Sequence, residues 1–251
     1  MRVFIVTVTC LAALLNGSTG FAQEGPSSVR SLACTINPGY TMADVVATAR
    51  AAEWSEETSP GFAVFRSKVA RTRSQNSTLE FDFIAVFVYP SYSDMVEKVG
   101  TRLRRQAETD GRQGFDGVAT CSENLFMRTG FQAARAAGTI APLTAIVTTN
   151  CELNGATRAD AVQAATRFGE NMGANSVVLG SAFGGPSRPL GSNVQMLFAF
   201  PSFPAFGSAW DQVVQTAPTR DPENPMTCSV PSLWAGYRVH PFDNSVIQSG
   251  R

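Results

Sequence analysis

Hydrophobic residues in this chain switch between a period of two and a period near 3.6, and the switches come in a fixed order. In Ser31–Asn37, Leu, Cys and Ile alternate and Pro38-Gly39 ends the run, which predicts a strand. Thr41 and Asp44 form a variant capping box. Met42, Val45, Val46 and Ala49 follow at helical spacing, so a helix is expected to about Glu57, before Pro60-Gly61. Phe62–Val69 reads as a strand with Phe62 and Val64 on one face and Ala63 and Phe65 on the other. Arg71–Thr78 is a polar loop, and Leu79–Tyr89 is a long strand rich in β-branched and aromatic residues, broken by Pro90-Ser91. Ser93 is expected to cap a second helix with Met95, Val96, Val99 and Leu103 inward and Arg102, Arg104 and Arg105 on or near its outer face. Val118–Phe131 is the last strand, which makes the order β-α-β-β-α-β.

The same order follows again. Strands are expected at 144–153, 176–183, 193–200 and 227–239, and a helix at 157–172. A shorter helix begins near Pro204, carries Phe206, Trp210, Val213 and Val214, and stops by Pro218. Three sequence blocks recur in one order. Cys-Thr-Ile-Asn-Pro-Gly-Tyr-Thr-Met-Ala-Asp-Val from Cys34 matches Cys-Glu-Leu-Asn-Gly-Ala-Thr-Arg-Ala-Asp-Ala-Val from Cys151, with a one-residue gap. Phe87-Val-Tyr-Pro-Ser-Tyr92 matches Phe198-Ala-Phe-Pro-Ser-Phe203, and Thr120-Cys121-Ser122 matches Thr227-Cys228-Ser229. This predicts a duplicated chain, with units at 31–131 and 143–239, a join at Gln132–Pro142, and a polar tail at 240–251.

Residues 1–22 read as a secretory leader: Arg2, an apolar run from Val3 to Leu15, and small residues at Gly20 and Ala22, with cleavage expected after Ala22. A periplasmic or secreted location follows. Cleavage removes Cys10 and leaves Cys34, Cys121, Cys151 and Cys228, an even set that predicts two disulfides in an oxidising compartment. A four-cysteine zinc site is the rival, but the spacing lacks CxxC pairs. The 251 residues carry 20 Lys+Arg against 20 Asp+Glu, so the excess of positive charge a nucleic-acid binder needs is missing. Past the leader, no apolar run reaches the roughly 18 residues of a spanning helix.

The β-α-β-β-α-β order is that of the ferredoxin-like unit, whose sheet leaves one face bare. On this order, the duplication and the repeated blocks, residues 31–239 resemble the dimeric α+β barrel superfamily, as a tandem two-repeat exported member. The resemblance implies an α+β fold of two ferredoxin-like repeats packed sheet to sheet as an intrachain pseudo-dimer, hence a monomer. It also implies a 4-1-3-2 strand order that sets the end of strand 1 beside the start of strand 4. With the repeat symmetry, that order implies the pairs Cys34–Cys121 and Cys151–Cys228.

Candidate chemistry is sparse. His240 is the only histidine, which excludes multi-His metal sites. Some members of the superfamily hold haem through a His within the ferredoxin-like domain, whereas His240 follows the last expected strand and reads as a surface residue. Asn37 and Asn154 end the first strand of each unit; they either offer a polar group at the barrel mouth or serve the local turn. Tyr89 and its equivalents in the aromatic-Pro-Ser blocks either stack on a ligand or fill a core corner. Glu80 and Asp82 share one face of their strand and are expected to meet solvent, with Arg66 as a cross-strand neighbour. Gly-x-Ser-x-Gly, Ser-x-x-Lys and phosphate-loop motifs are missing. The reading is a non-catalytic exported module, without cofactor or metal, that binds a small apolar ligand or a partner protein. Its candidate pocket residues are Asn37, Trp54, Tyr89, Asn154 and Trp210, with Trp54 and Trp210 placed on helices. The resemblance offers the alternative of a cofactor-independent monooxygenase or isomerase acting on a small organic molecule.

Overall fold

The structure is a computed structural model, and it describes residues 27–70, 81–109, 115, 117–122, 126–135, 141–182, 193–216 and 225–241. The expected leader at 1–22, Glu80 and nearly all of the tail lie outside the described residues.

Both first helices start as the capping pattern requires. Thr41 heads α1 (Met42–Ala51) and Thr157 heads α3 (Arg158–Asn171). Each threonine hydroxyl accepts from the backbone N–H three residues on, at 3.3 Å, and that aspartate accepts the threonine N–H at 2.8 Å (Asp44) and 2.9 Å (Asp160). Two orphan N–H groups are satisfied at each end, an arrangement worth about 1 kcal/mol per cap. α1 stops earlier than expected, because Ala52 turns to extended geometry and the Trp54 indole folds back to donate to the Ala49 carbonyl at 2.9 Å. Trp54 therefore closes the helix from the following loop and is not on it.

α2 (Tyr92–Thr109) is capped two residues before the expected Ser93, since Ser91 Oγ accepts from Asp94 N at 3.1 Å. Its inward face also differs from the one expected. Tyr92, Met95 and Val99 pack inward, while Val96 and Leu103 are 66% and 56% exposed. In α4 (Phe203–Thr216), Phe206, Trp210 and Val213 face the core and Val214 is exposed.

The strands are β1 (Ser27–Ile36), β2 (Phe62–Ala70), β3 (Phe83–Tyr89), β4 (Ala119–Cys121), β5 (Phe126–Arg135), β6 (Leu143–Leu153), β7 (Ser176–Ala182), β8 (Asn193–Phe200), β9 (Met226–Cys228) and β10 (Ser232–His240). Each expected fourth strand is thus two strands. β4 and β5 share one edge of β1, and β9 and β10 share one edge of β6. β5 runs to Arg135, into the expected join. All pairings are antiparallel, in the order β2-β3-β1-β5-β7-β8-β6-β10, and β10 pairs with both β6 and β2. The ring is closed. The resemblance implies two sheets laid face to face; here β5 bonds to β7 and β10 to β2, so the edges join as well. Closure gives each of these eight strands a partner on both sides, which protects the backbone N–H and C=O rows of the edges.

Alternation along the strands separates three cores. The first lies between α1, α2 and the outer face of β1, β2 and β3, and includes Leu32, Val45, Phe65, Phe83 and Tyr89. The second lies under α3 and α4 and includes Val147, Ala161, Leu179, Phe198 and Phe200. At Gly169, α3 comes so close to β7 that a Cβ would sit 2.2 Å from Val177 Cγ2. The third core is inside the ring, where Val64, Val86, Ile146 and Trp234 meet with Phe62, Phe81, Ile84 and Leu197.

The cysteines pair as the strand order implies. Cys34 faces Cys121 and Cys151 faces Cys228 across the β1–β4 and β6–β9 ladders, and both pairs are disulfides. The ladders make β1 and β6 run the same way, so both bridges lie at one end of the barrel. Among the described residues no helix is long and apolar enough to cross a membrane, and no three His, Cys, Asp or Glu side chains converge on a metal position. The two disulfides are compatible with a periplasmic or extracellular protein.

Candidate functional site

The ring interior gathers the polar and aromatic groups that the linear sequence scatters. Trp234 of β10 stands opposite Ile146 of β6 and Lys68 of β2. It is 3% exposed, and its indole N–H donates to Thr148 Oγ1 at 2.8 Å. The Phe81 ring stacks on it at 6.4 Å between centroids with a 10° interplanar angle. The Arg66 guanidinium lies over the Trp234 ring, 5.6 Å from its centroid, and Lys68 Nζ lies 4.0 Å from the Phe81 centroid. Such cation–ring contacts are worth roughly 0.5–2 kcal/mol each, more where water is excluded. Room for this stack comes from Gly236, where a Cβ would meet Ile146 Cδ1 at 2.4 Å.

The wall opposite is different. On β8, Val194, Met196, Phe198 and Phe200 face the helices and are buried, while Gln195, Leu197 and Ala199 face the lumen and stay partly exposed. On β7, Val177 and Leu179 are buried and Val178 and Gly180 are not fully so. Ile84 and Val88 of β3 and Val29 of β1 continue this accessible apolar surface. One wall of the barrel is packed by Trp234, Arg66, Val64 and Ile146; the other presents aliphatic side chains to solvent from inside.

The five expected pocket residues do not converge. Asn37 and Asn154 lie at the disulfide end, where they anchor the fourth strands. Asn37 Nδ2 donates to Gly117 O at 3.2 Å and its Oδ1 accepts from Thr120 Oγ1 at 2.8 Å; Asn154 Oδ1 accepts from Thr227 Oγ1 at 3.1 Å. Tyr89 lies at the opposite end, on the helix-facing side of β3 and fully buried. Trp54 closes α1, and Trp210 packs on Phe206 under α4. Asp82 accepts from Ile36 N at 2.7 Å, and Phe81 and Phe83 turn to different cores, so the alternation expected across this pair breaks at Asp82. Trp234 fits the sequence reading of the tryptophans as core or pocket-wall residues; Thr148 was missed, and Arg66 was placed beside surface carboxylates instead of over an indole. An arginine within the apolar run Phe62–Val69 was the available signal for a buried cation.

His240 is not a free surface residue. It is the last residue of β10, pairs with Ala63 of β2, and stacks on Trp54 at 4.6 Å and 24°. Burial holds its pKa below the usual 6.5, helped by the charges of Arg238 and Lys98 and opposed by a hydrogen bond to the Pro60 backbone. A depressed histidine contributes stability that is complete above the unfolded value and is lost as pH falls through the folded one. Unfolding midpoints in urea are therefore expected to drop between pH 7 and pH 5, and to drop less in His240→Phe, which keeps the stack without the charge. Asp44 and Asp160, held low first by their threonine hydroxyls, act only below 3.8 and leave this window clear. Equal pH dependence in the variant would remove His240 from the account.

No family model matches the chain, and no curated protein matches it. Among solved structures it is similar to a protein described as a monooxygenase from Fusobacterium nucleatum subsp. nucleatum, at 10% identity and a TM-score of 0.48 over 85% of this chain and 92% of that one. It is similar to an anthrone oxidase-like protein at 14% identity and a TM-score of 0.43, over 87% of this chain and 95% of that one. It is also similar to a protein described as a chlorite dismutase, at 11% identity and a TM-score of 0.44, over 85% and 95% of the two chains.

Proposed function

We propose that this chain is an exported, non-catalytic binding module that holds a small apolar molecule in the lumen of its barrel. One observation carries the reading: on β7 and β8 the helix-facing residues are buried while the lumen-facing Val178, Leu197 and Ala199 remain accessible. Accessible aliphatic surface enclosed by strands suits a small molecule better than a protein partner, which needs a broad exposed face. On the same reading, 31–131 and 143–239 are copies of one ferredoxin-like unit that act as an intrachain pseudo-dimer, so the module is a monomer. The shared strand order, with β5-β1-β3-β2 answering β10-β6-β8-β7, supports this. The disulfides support export.

Native mass spectrometry of protein purified from its own compartment tests the reading, together with titration by the neutral apolar probe N-phenyl-1-naphthylamine. A retained small molecule or saturable probe binding is expected, weakened at least tenfold by Leu197→Trp, which fills the lumen. Absence of both sinks the proposal. Chemical turnover of the retained molecule by the purified chain would replace it with the cofactor-independent monooxygenase or isomerase.

A further inference from the structure

A second feature lies outside the barrel lumen, beneath α2. Ser28, Arg30, Leu32 and Cys34 alternate onto the helix-facing side of β1, and Ser28 Oγ donates to Met95 Sδ of α2 at 3.0 Å. Arg30 is thus on the side of β1 that faces α2. Its Nε and Nη1 are buried and make no hydrogen bond among the described residues. Tyr89 stands diagonally across the β1–β3 ladder, since Ser28 pairs with Tyr89 and Arg30 with Phe87. Tyr89 is 0% exposed, and its hydroxyl lies beside the Arg30 guanidinium, with no hydrogen bond of full geometry among the described residues. Arg102, three residues after the inward Val99, brings a second guanidinium whose charge acts on both Arg30 and Tyr89.

The nearby carboxylate does not balance these cations. Asp94 Oδ1 is paired with Lys98 Nζ at 3.1 Å, so the charges of that pair cancel; its Oδ2 is also buried without a hydrogen bond, and its charge acts on Tyr89. Two guanidinium groups and a phenol remain close together, with the Arg30 and Tyr89 donors buried. Leaving such donors unmet is costly, and like charges side by side raise the cost. An oxyanion removes both penalties at once, because the guanidinium fork matches phosphate and carboxylate geometry and the phenol adds a third donor.

We propose that Arg30, Arg102 and Tyr89 form a binding site for a small oxyanion, a phosphate or carboxylate group. The site is separate from the lumen and stands whether or not the lumen binds a ligand. Arg30 and Arg102 are each partly exposed as residues, at the end of the barrel away from the disulfides. Burial, first, and the neighbouring Arg102 lower the Arg30 pKa, opposed by Tyr89; burial raises that of Tyr89, opposed by Arg102 and Arg30.

Thermal unfolding with inorganic phosphate, acetate or chloride at one ionic strength tests the site. Phosphate, acetate or both should raise the melting temperature saturably over chloride, and the arm that does so identifies the head group. Arg102→Gln, on the half-exposed helix face, should weaken that response at least tenfold. Arg30→Gln should abolish it, and Tyr89→Phe should weaken it without changing the fold as read by circular dichroism. If neither anion exceeds chloride, or if the response is unchanged in Arg102→Gln, the site does not exist.

Discussion

Replacing both half-cystines of either bridge is expected to lower unfolding stability by about 4 kcal/mol, and replacing all four to leave the chain barely folded. The bridges span 87 and 77 residues. In the chain-entropy model, closing loops of this length constrains the unfolded chain by about 4 kcal/mol each, less any strain. The two loops do not overlap in sequence, so their effects should add. Together they are comparable with the whole stability of a typical domain, about 5–15 kcal/mol. Cys34 and Cys151 are 0% and 2% exposed, so the double variants Cys34→Ala/Cys121→Ala and Cys151→Ala/Cys228→Ala are better tests than reductant added to native protein. Urea unfolding followed by circular dichroism reads the change. A double variant that unfolds at the wild-type urea concentration would show that its bridge does not stabilise the chain. In the wild type, intact mass should rise by about four hydrogens when both bridges are reduced after unfolding.

Trp234→Ala is expected to cost about 4 kcal/mol, at the upper end for a single core truncation. Three losses coincide at this residue. The ring sits inside the closed barrel, where neighbours on β2, β6 and β10 are tied by ladders on both sides and cannot collapse into the space. Thr148, itself 1% exposed, loses the indole N–H it accepts. Arg66, 7% exposed, loses the ring face beneath its guanidinium. Trp234→Phe keeps most of the ring and gives up the hydrogen bond to Thr148, so it should cost about 1–2 kcal/mol. Trp210→Ala is the contrast. That ring is half-buried under α4, where the helix can shift, so its loss should be the smaller. If Trp210→Ala proves more damaging than Trp234→Ala, the ring interior is not a rigid core.

Much of this architecture is legible in the sequence, and the legible parts share a cause. Strand and helix order follows from local periodicity, and the capping boxes at Thr41 and Thr157 are contained within four residues. The cysteine pairs follow once the strand order is assumed, because a disulfide needs only the register of two neighbouring strands, and Cys34↔Cys121 and Cys151↔Cys228 are direct partners. Local readings fail where a distant or neighbouring group intervenes. α1 ends early because Trp54 turns back onto Ala49. The cap of α2 is Ser91 and not Ser93, and packing of Tyr92, Met95 and Val99 on the sheet leaves Val96 and Leu103 outward. Arg102 shares the inward spacing of Met95 and Val99, but arginine reads as a surface residue until its charge is found to act on Arg30 and Tyr89.

The sequence by itself determined most elements, their order and the faces of most strands, since each depends on neighbours a few residues away; the covalent pairs needed the strand order that the resemblance implied as well. Only the tertiary structure decided that β5 meets β7 and β10 meets β2, closing the ring. Edge pairing is non-directional in sequence: any strand with free N–H and C=O groups can take any other, and the choice is made by twist, tilt and what the closed interior must hold. That choice turns Trp234, Arg66, Phe81 and Thr148 from residues on separate segments into one cluster, and leaves Val178, Leu197 and Ala199 facing a lumen instead of bulk solvent.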